Sequence, residues 1–210
     1  LFADGCVHQD VLKRPRKGRA TAGSPALVVG LSVVDRGHLE KLRTFLGSTH
    51  AITEREAQES MPAKKDGEAI HSGPAVFFRV RSKGLCAALT SYGIVSKAIR
   101  VPVPDLARSR DFWRGMIDGD GSIGVCESGG HTYSQVRLAG QNLLLVTFGD
   151  FLRRNGFSSL TPYKGASVWV IGTTAASADA IIRFLYKDAG VARDRKMLRA
   201  QHSIQQLDKQ

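Results

Sequence analysis

Two aspartates, Asp118 and Asp120, end an apolar helical segment in the stretch DFWRGMIDGDGSI at residues 111–123. Carboxylates at the carboxyl end of a helix face the negative end of its dipole, and a hard divalent cation would offset this repulsion. Such a cation could activate water for hydrolysis of a phosphodiester. Gly115 and Gly119, four residues apart, predict a smooth groove along which a partner helix packs closely.

The first residues of the chain repeat the end of this motif. LFADG at residues 1–5 has Asp4 in the place of Asp120 and Phe2 in the place of Asp118. If the two motif helices pair about a pseudo-twofold axis, Asp4 and Asp120 meet near that axis. We therefore expect each half to supply one metal-binding acid, and we expect the natural chain to begin upstream of Leu1.

The same predicted order of elements follows each Asp-Gly pair: strand, strand, helix, strand, strand and helix. Apolar patterns place strands at 26–34, 75–82, 132–138 and 167–173. Asp35 is the predicted N-cap of a helix whose apolar face holds Leu39, Leu42, Phe45 and Leu46. Further helices are predicted to end at Gly93, Gly156 and Gly190. The order predicts an α+β fold made of two pseudo-symmetric repeats.

The two repeats are separated by the segment IRVPVPDLARSR, which contains two prolines and has no helical period. We therefore predict a first repeat at 1–98, a linker at 99–109 and a second repeat at 110–210. The first repeat is the longer one, because it contains a basic loop at 13–24 and a polar loop insertion at 54–73.

The charge balance favours a polyanionic partner. The chain has 30 Lys and Arg against 19 Asp and Glu, a formal charge of +11. Nucleic acid fits this field, and a merely soluble basic protein is the alternative that charge alone allows. The sequence has neither an amphipathic helix with basic flanks nor a long apolar run, so no membrane partner is expected. A carboxylate-pair glycosidase is disfavoured, because the positive field suits phosphate better than sugar.

Three cysteines, Cys6, Cys86 and Cys126, lie far apart and form no C-x-x-C pair. This spacing disfavours a zinc knuckle or zinc ribbon. Lone thiols are typical of a reducing compartment, so we expect a cytoplasmic, nucleoid-associated or organellar protein.

Alternating strands offer polar side chains for contacts with DNA. In 75–82, Arg79 and Arg81 alternate with apolar residues, and Arg can read guanine or hold phosphate. The other candidates for DNA contact are Tyr133, Gln135 and Arg137 on a second strand and Lys13, Arg14, Arg16 and Lys17 in the basic loop. A half-exposed sheet with solubilising charges is the alternative for each of these residues.

The stretch WRGMIDGDG at 113–121, continued by Ser122 and Ile123, resembles the motif of the LAGLIDADG homing endonucleases, and LFADG resembles the end of a first copy. The resemblance covers the whole chain. It implies αββαββα repeats whose saddle-shaped antiparallel sheets lie in the DNA major groove, with the motif helices packed at the centre. It also implies a cut through both strands of a long site that depends on Mg²⁺, for which Mn²⁺ or Ca²⁺ substitutes.

The resemblance also assigns roles to individual residues. The last acid of the family's motif corresponds to Asp4 and Asp120, so these residues are the predicted catalytic and metal-binding acids. The metal-site residues implied by the resemblance also include Ala3 and Gly119. Asp118 matches an earlier motif acid that is usually structural. A basic residue near the end of each repeat assists phosphate chemistry, and Lys97 and Lys196 are the candidates here.

The sequence therefore predicts a site-specific double-strand DNA endonuclease of the mobile-intron type, monomeric and with internal pseudo-twofold symmetry. The alternative is a non-cleaving protein of the same fold, either a transcriptional regulator or an intron RNA maturase. The two motif aspartates favour cleavage.

Overall fold

The computed structural model describes residues 2–8, 25–60, 70–95 and 100–207. The chain divides into two compact units, one of Asp4–Ser91 and one of Leu1–Ala3 with Tyr92–Gln210. Each unit contains a four-stranded antiparallel sheet, so the predicted α+β class is confirmed. No helix in the described ranges is long and apolar enough to span a membrane.

The unit Asp4–Ser91 starts with β1 (Gly5–His8), β2 (Ala26–Ser32), a 3₁₀ turn (Val33–Asp35) and α1 (Arg36–Phe45). It continues with β3 (Ile52–Arg55), β4 (Gln58–Ser60), β5 (Ile70–Ser72), β6 (Ala75–Arg81) and α2 (Lys83–Ser91). The sheet has the order β1-β2-β6-β3, and β4 pairs separately with β5.

The core of this unit follows from the alternation of apolar residues along its central strands. Every second residue points to the helices, which is the period of a strand with one covered face. The buried set on β2 and β6 is Leu27, Val29, Leu31, Val76, Phe78 and Val80, and Leu39 of α1 and Ile52 of β3 complete it. The residues between these buried positions, such as Val28 on β2 and Phe77 and Arg79 on β6, lie on the opposite face, the outward face of the first sheet.

Three details of this unit differ from the sequence prediction. The strand ends at Ser32 rather than at Val34. Asp35 is the N-cap residue of α1, as predicted, although its side chain makes no capping hydrogen bond. Phe45, predicted on the apolar face of α1, is 84% exposed, because Leu42 and Leu46 take the contacts with the core instead. The polar insertion predicted as a loop contains the paired strands β4 and β5.

The second unit contains α3 (Pro104–Arg108), α4 (Arg110–Asp120), β7 (Gly121–Ser128), β8 (His131–Gly140) and α5 (Asn142–Arg154). It ends with β9 (Tyr163–Lys164), β10 (Trp169–Thr174), α6 (Ala175–Tyr186) and α7 (Asp194–Leu207). Its sheet has the order β7-β8-β10-β9. Strand for strand, this is the connectivity of the first sheet without the β4–β5 pair.

A helix lies where the sequence predicted a linker without helical structure. α3 has a proline in its first turn, Asp105 near its amino end and Arg108 in its last turn. Proline is favoured at the start of a helix, because its ring presets φ and its missing N–H has no partner there. Pro104 therefore begins a short helix instead of excluding one.

The three cysteines are not in disulfides. Cys86 of α2 is buried, whereas Cys6 and Cys126 are half-buried on the first strand of each sheet. Cys6 pairs with Val28 and Cys126 with Tyr133, and these partners lie on the faces that the helices do not cover.

Candidate active site

The motif helix α4 is fixed by buried contacts along its length. Ser109 caps its amino end by accepting a hydrogen bond from the Phe112 backbone N–H at 3.2 Å. Trp113 is fully buried and donates its indole N–H to the carbonyl oxygen of Ala107 at 2.9 Å. Arg114, also buried, donates Nε–H to the carbonyl oxygen of Val191 at 3.0 Å. The carboxyl end of α4 is therefore held in a defined position.

Asp118 uses both carboxylate oxygens inside the protein. Asp118 is only 4% exposed, and its Oδ1 accepts a hydrogen bond from the Tyr186 hydroxyl at 2.6 Å. Oδ2 accepts from the backbone N–H of Arg193 at 2.8 Å. Burial, followed by the adjacent Asp118 charge, raises the pKa of Tyr186, which therefore stays a donor. Asp118 thus ties α4 to the end of α6 and the start of α7.

Asp120, two residues further on, is half-buried and lines a cavity of about 340 Å³. It is the last residue of α4, and β7 begins directly after it. The cavity is mostly apolar with three polar side chains, and its lining residues are Phe2, Arg100, Met116, Asp120, Ala139, Gly140, Gln141, Leu144 and Val168. The two acids of the motif therefore occupy different environments.

Gly121 makes the junction between α4 and β7 possible. A Cβ at this position would lie 2.7 Å from Cα of Ile117, 2.8 Å from the Ile117 carbonyl oxygen and 2.9 Å from the Arg137 carbonyl oxygen. Because all three are backbone atoms, a side chain could fit only if the main chain moved. The glycine after Asp120 therefore serves close packing.

Lys196 brings a cation to this junction. The residue is 3% exposed, and its Nζ donates a hydrogen bond to the carbonyl oxygen of Gly121 at 2.5 Å. Burial and, next, the positive charge of Arg195 lower the pKa of Lys196 to about 8, while the charge of Asp118 opposes the shift. The structure thus places this predicted basic residue beside the residue that follows Asp120.

Arg100 is a residue of this region that the sequence prediction missed. It is 3% exposed, its Nε and Nη2 donate to the Val95 carbonyl oxygen at 3.1 and 2.6 Å, and its Nη1 donates to the Phe2 carbonyl oxygen. The guanidinium carbon lies 5.3 Å from the centroid of the Phe2 ring. The detectable signal is an arginine between the apolar residues Ile99 and Val101, at the start of the segment that we interpreted as a linker.

Comparison with solved structures decides the fold. The chain is similar to the LAGLIDADG homing endonuclease I-GzeII in complex with its DNA target, with a TM-score of 0.58, 14% identity and coverage of 99% of this chain and 88% of the other. The chain has the LAGLIDADG homing endonuclease fold.

Two other solved proteins have this fold. The I-SmaMI LAGLIDADG endonuclease bound to cleaved DNA matches with a TM-score of 0.63 and 14% identity, over 99% of this chain and 87% of the other. The I-LtrWI LAGLIDADG endonuclease bound to target DNA matches with a TM-score of 0.61 and 11% identity, over 100% of this chain and 88% of the other. No protein-family profile and no curated protein matches the sequence.

The motif acid predicted for the first half of the chain is Asp4, which follows directly on the buried residues Phe2 and Ala3. Residues 2–4 form a turn before β1, Ala3 is buried and Asp4 is half-buried. Asp4 belongs to the unit Asp4–Ser91 and Asp120 to the other, so a shared metal site remains a prediction. Lys97 and the loop residues Lys13, Arg14, Arg16 and Lys17 lie outside the described residues.

The sheet residues predicted to contact DNA lie on the faces that the helices leave open. Arg79 and Arg81 are exposed on the outward face of the first sheet. On the second sheet, Tyr133 and Gln135 are half-buried and Arg137 is exposed, whereas Ser134, Val136 and Leu138 point to the covered face. Tyr133, Gln135 and Arg137 therefore define the outward face of the second sheet.

The donor chemistry around Asp120 fits the divalent cation that the LAGLIDADG fold implies. Asp120 and the backbone carbonyl of Gly119 are hard oxygen donors, which Mg²⁺ prefers. Within the described residues no three His, Cys, Asp or Glu side chains cluster as a complete metal cage. Mg²⁺ is commonly held by one or two carboxylates, with water and substrate phosphate as its other ligands, so a single acid per unit is compatible with it.

Proposed function

We propose that this protein is a site-specific double-strand DNA endonuclease that requires Mg²⁺. The observation that supports it best is the different placement of Asp118 and Asp120, the last two acids of α4. Both oxygens of Asp118 accept hydrogen bonds from the protein, whereas Asp120 is half-buried at a cavity next to a residue bonded by Lys196. Asp120 is therefore the acid of the motif that borders open space, where a cation could reach it.

DNA binding, as we propose it, begins at the outward faces of the sheets. Arg79, Arg81 and Arg137 neutralise phosphates or read base edges, and the overall charge of +11 attracts the duplex. The three solved endonucleases described above are all complexes with DNA, which supports assigning this role to the same fold.

In the proposed chemistry, Asp120 and Asp4 would each offer a carboxylate oxygen to a divalent cation, aided by the residues before them, Gly119 and Ala3. When bound, Mg²⁺ would supply Lewis-acid polarisation of the phosphate and activation of water. Lys196 keeps its proton on Nζ below its pKa of about 8 and stabilises negative charge that develops beside the junction. Asp118 and Tyr186 keep α4 in place during this step.

A cleavage screen tests the proposal. The protein is incubated with a plasmid library that carries a randomised insert, with Mg²⁺ or with EDTA, and linear products are sequenced. We expect linear DNA in Mg²⁺ with one enriched insert sequence and none in EDTA. Specific binding of one sequence with no cutting in Mg²⁺ or Mn²⁺ would contradict the endonuclease.

That outcome would favour the second candidate, a non-cleaving nucleic-acid-binding protein of the same fold. One observation speaks for it: the first motif has Phe2 where the second has Asp118, so the two halves are not chemically equivalent. Arg100 holds Phe2 by its carbonyl and by its ring, which is a different arrangement from the Asp118–Tyr186 contact.

A further inference from the structure

An aromatic ring lies across the outward face of the first sheet. Phe77 of β6 is half-buried and pairs with Gly30 of β2. A Cβ at Gly30 would lie 2.8 Å from Cε1 and 3.0 Å from Cδ1 of Phe77. The ring therefore covers the backbone of Gly30 in space that a side chain at that position would fill.

Arg55 of β3 lies over this ring. Its guanidinium carbon is 5.0 Å from the ring centroid, the distance of a cation–π contact. Thr53, two residues earlier, pairs with Phe77 and donates its hydroxyl to the Phe77 carbonyl oxygen at 3.4 Å. Stacking on the ring restricts an otherwise exposed guanidinium to one side of Phe77, so less entropy is lost when it binds a further partner.

Core packing does not account for the position of Phe77. The buried core of this unit lies on the other side of the sheet, where Val76 and Phe78 point to the helices. Phe77 shares its face with Arg79 and Arg81, which are exposed. An apolar ring among three arginines has the composition of a surface that reads bases as well as phosphates.

We propose that Phe77 and Arg55 form one base-reading element, in which the ring contacts the methyl group of a thymine and the guanidinium hydrogen-bonds to the guanine of an adjacent base pair. This inference rests on the proposed function, since it concerns which DNA the outward face selects. In the major groove only thymine among the four bases carries a methyl group, and guanine offers N7 and O6 to arginine.

The test is a binding selection from randomised duplex DNA in EDTA, so that cleavage does not enter. We compare the parent chain with Phe77→Ala, Arg55→Ala and Gly30→Ala. The parent should enrich thymine at one position and guanine beside it. Phe77→Ala should reduce the thymine preference about fourfold, the value expected for one buried methyl group, and should also weaken the guanine preference.

Arg55→Ala should reduce only the guanine preference, by about tenfold, because the ring remains. Gly30→Ala should resemble Phe77→Ala, since the new methyl group displaces the ring without removing it. Gly84→Ala is the matched control, because a Cβ there has no atom within 4 Å and the residue lies in α2, away from the outward face. Its selected sequence should equal the parent's.

A second measurement isolates the methyl contact. In the selected duplex, uracil replaces the thymine, which removes only the methyl group. Affinity should fall about fourfold for the parent and stay unchanged for Phe77→Ala, provided that thermal unfolding shows both chains folded. Phe77→Gln, which keeps a long side chain on the strand but removes the apolar ring, serves if the alanine variant unfolds.

If the parent and a folded Phe77 variant select the same bases at every position, the base-reading inference is wrong and the proposed function stands. If the parent binds no DNA, the proposed function fails, and this inference fails with it.

Discussion

Replacement by asparagine should affect the free energy of unfolding differently at Asp118 and at Asp120. Asp118→Asn places an NH₂ group against the Tyr186 hydroxyl or the Arg193 N–H, both of which are donors. We expect the free energy of unfolding to fall by about 1–3 kcal/mol, as for a buried hydrogen bond that loses its acceptor. Urea unfolding checks this, with Asp105→Asn at the exposed start of α3 as the control that should change little.

Asp120→Asn should change cleavage rather than stability. The carboxylate is half-buried at the cavity, so stability and DNA affinity should stay near those of the parent. Cleavage should be lost, because the proposed metal loses its anionic ligand. A plasmid assay and a gel-shift assay on the same preparation separate these effects. An Asp120→Asn variant that cuts at the parent's rate would refute the catalytic assignment.

The pKa of Lys196 makes stability depend on pH. Its folded-state pKa of about 8 lies below its usual 10.5, so between these values the unfolded chain binds more protons. Stability should therefore rise with pH in this range, by up to about 3 kcal/mol in total for this group. Urea midpoints from about pH 7 to pH 9.5 test this below the range where Tyr186 titrates.

Lys196→Met should flatten this pH dependence, and Lys164→Met, on the exposed strand β9, should leave it unchanged. The cleavage rate of the parent should fall as pH rises through about 8, if the protonated amine is the form that acts. A rate that increases steadily to pH 10 would contradict a role for that proton.

At the scale of elements, the start of β7 depends on one glycine. Gly121→Ala adds a Cβ within 2.9 Å of three backbone atoms, so α4 and β7 must separate. We expect a loss of about 1–3 kcal/mol of stability, typical of overpacking, together with reduced cleavage because Asp120 is the preceding residue. Gly124→Ala, three residues along the same strand with nothing within 4 Å, is the matched control and should be nearly neutral.

Helices and strands with one buried face could be predicted from the sequence, because apolar residues recur at the spacing of the buried positions. Strands β6 and β8 follow this rule and agree with their predicted ranges to within two residues, and helix α5 ends two residues before the predicted Gly156. α3 was missed because two prolines conceal a five-residue helix. α7 was missed because its buried positions, Lys196, Ala200 and Ser203, are small or polar and produce no apolar period.

The candidate site was only partly predictable for the same physical reason. The motif spacing indicates Asp120, and the family resemblance indicates Lys196. Nothing in the spacing shows that both carboxylate oxygens of Asp118 accept hydrogen bonds inside the protein. These hydrogen bonds come from Tyr186 and Arg193, which are 68 and 75 residues away along the chain. Phe77 and Arg55 were not predicted either, because their contact depends on strand register and on the missing side chain at Gly30.

At the scale of the whole molecule, the charge of +11 predicts salt-dependent DNA affinity. The logarithm of the binding constant should fall linearly with the logarithm of salt concentration as counterions are released. Replacing Arg79, Arg81 and Arg137 by Gln should reduce the slope by about one for each arginine that contacts phosphate. Arg154→Gln, at the end of α5, is the control that should keep the parent slope. A flat salt dependence would argue against the sheets as the binding surface.

The placement of the cysteines allows bound DNA to be located by the protection of thiols from alkylation. Cys6 and Cys126 lie on the outward faces of the first and second sheets, whereas Cys86 is buried in α2. Iodoacetamide should therefore alkylate two thiols quickly and the third only on unfolding. Bound duplex should shield Cys6 and Cys126 separately, and mass spectrometry of the two peptides would report which half of the molecule a given DNA occupies, without any substitution in the protein.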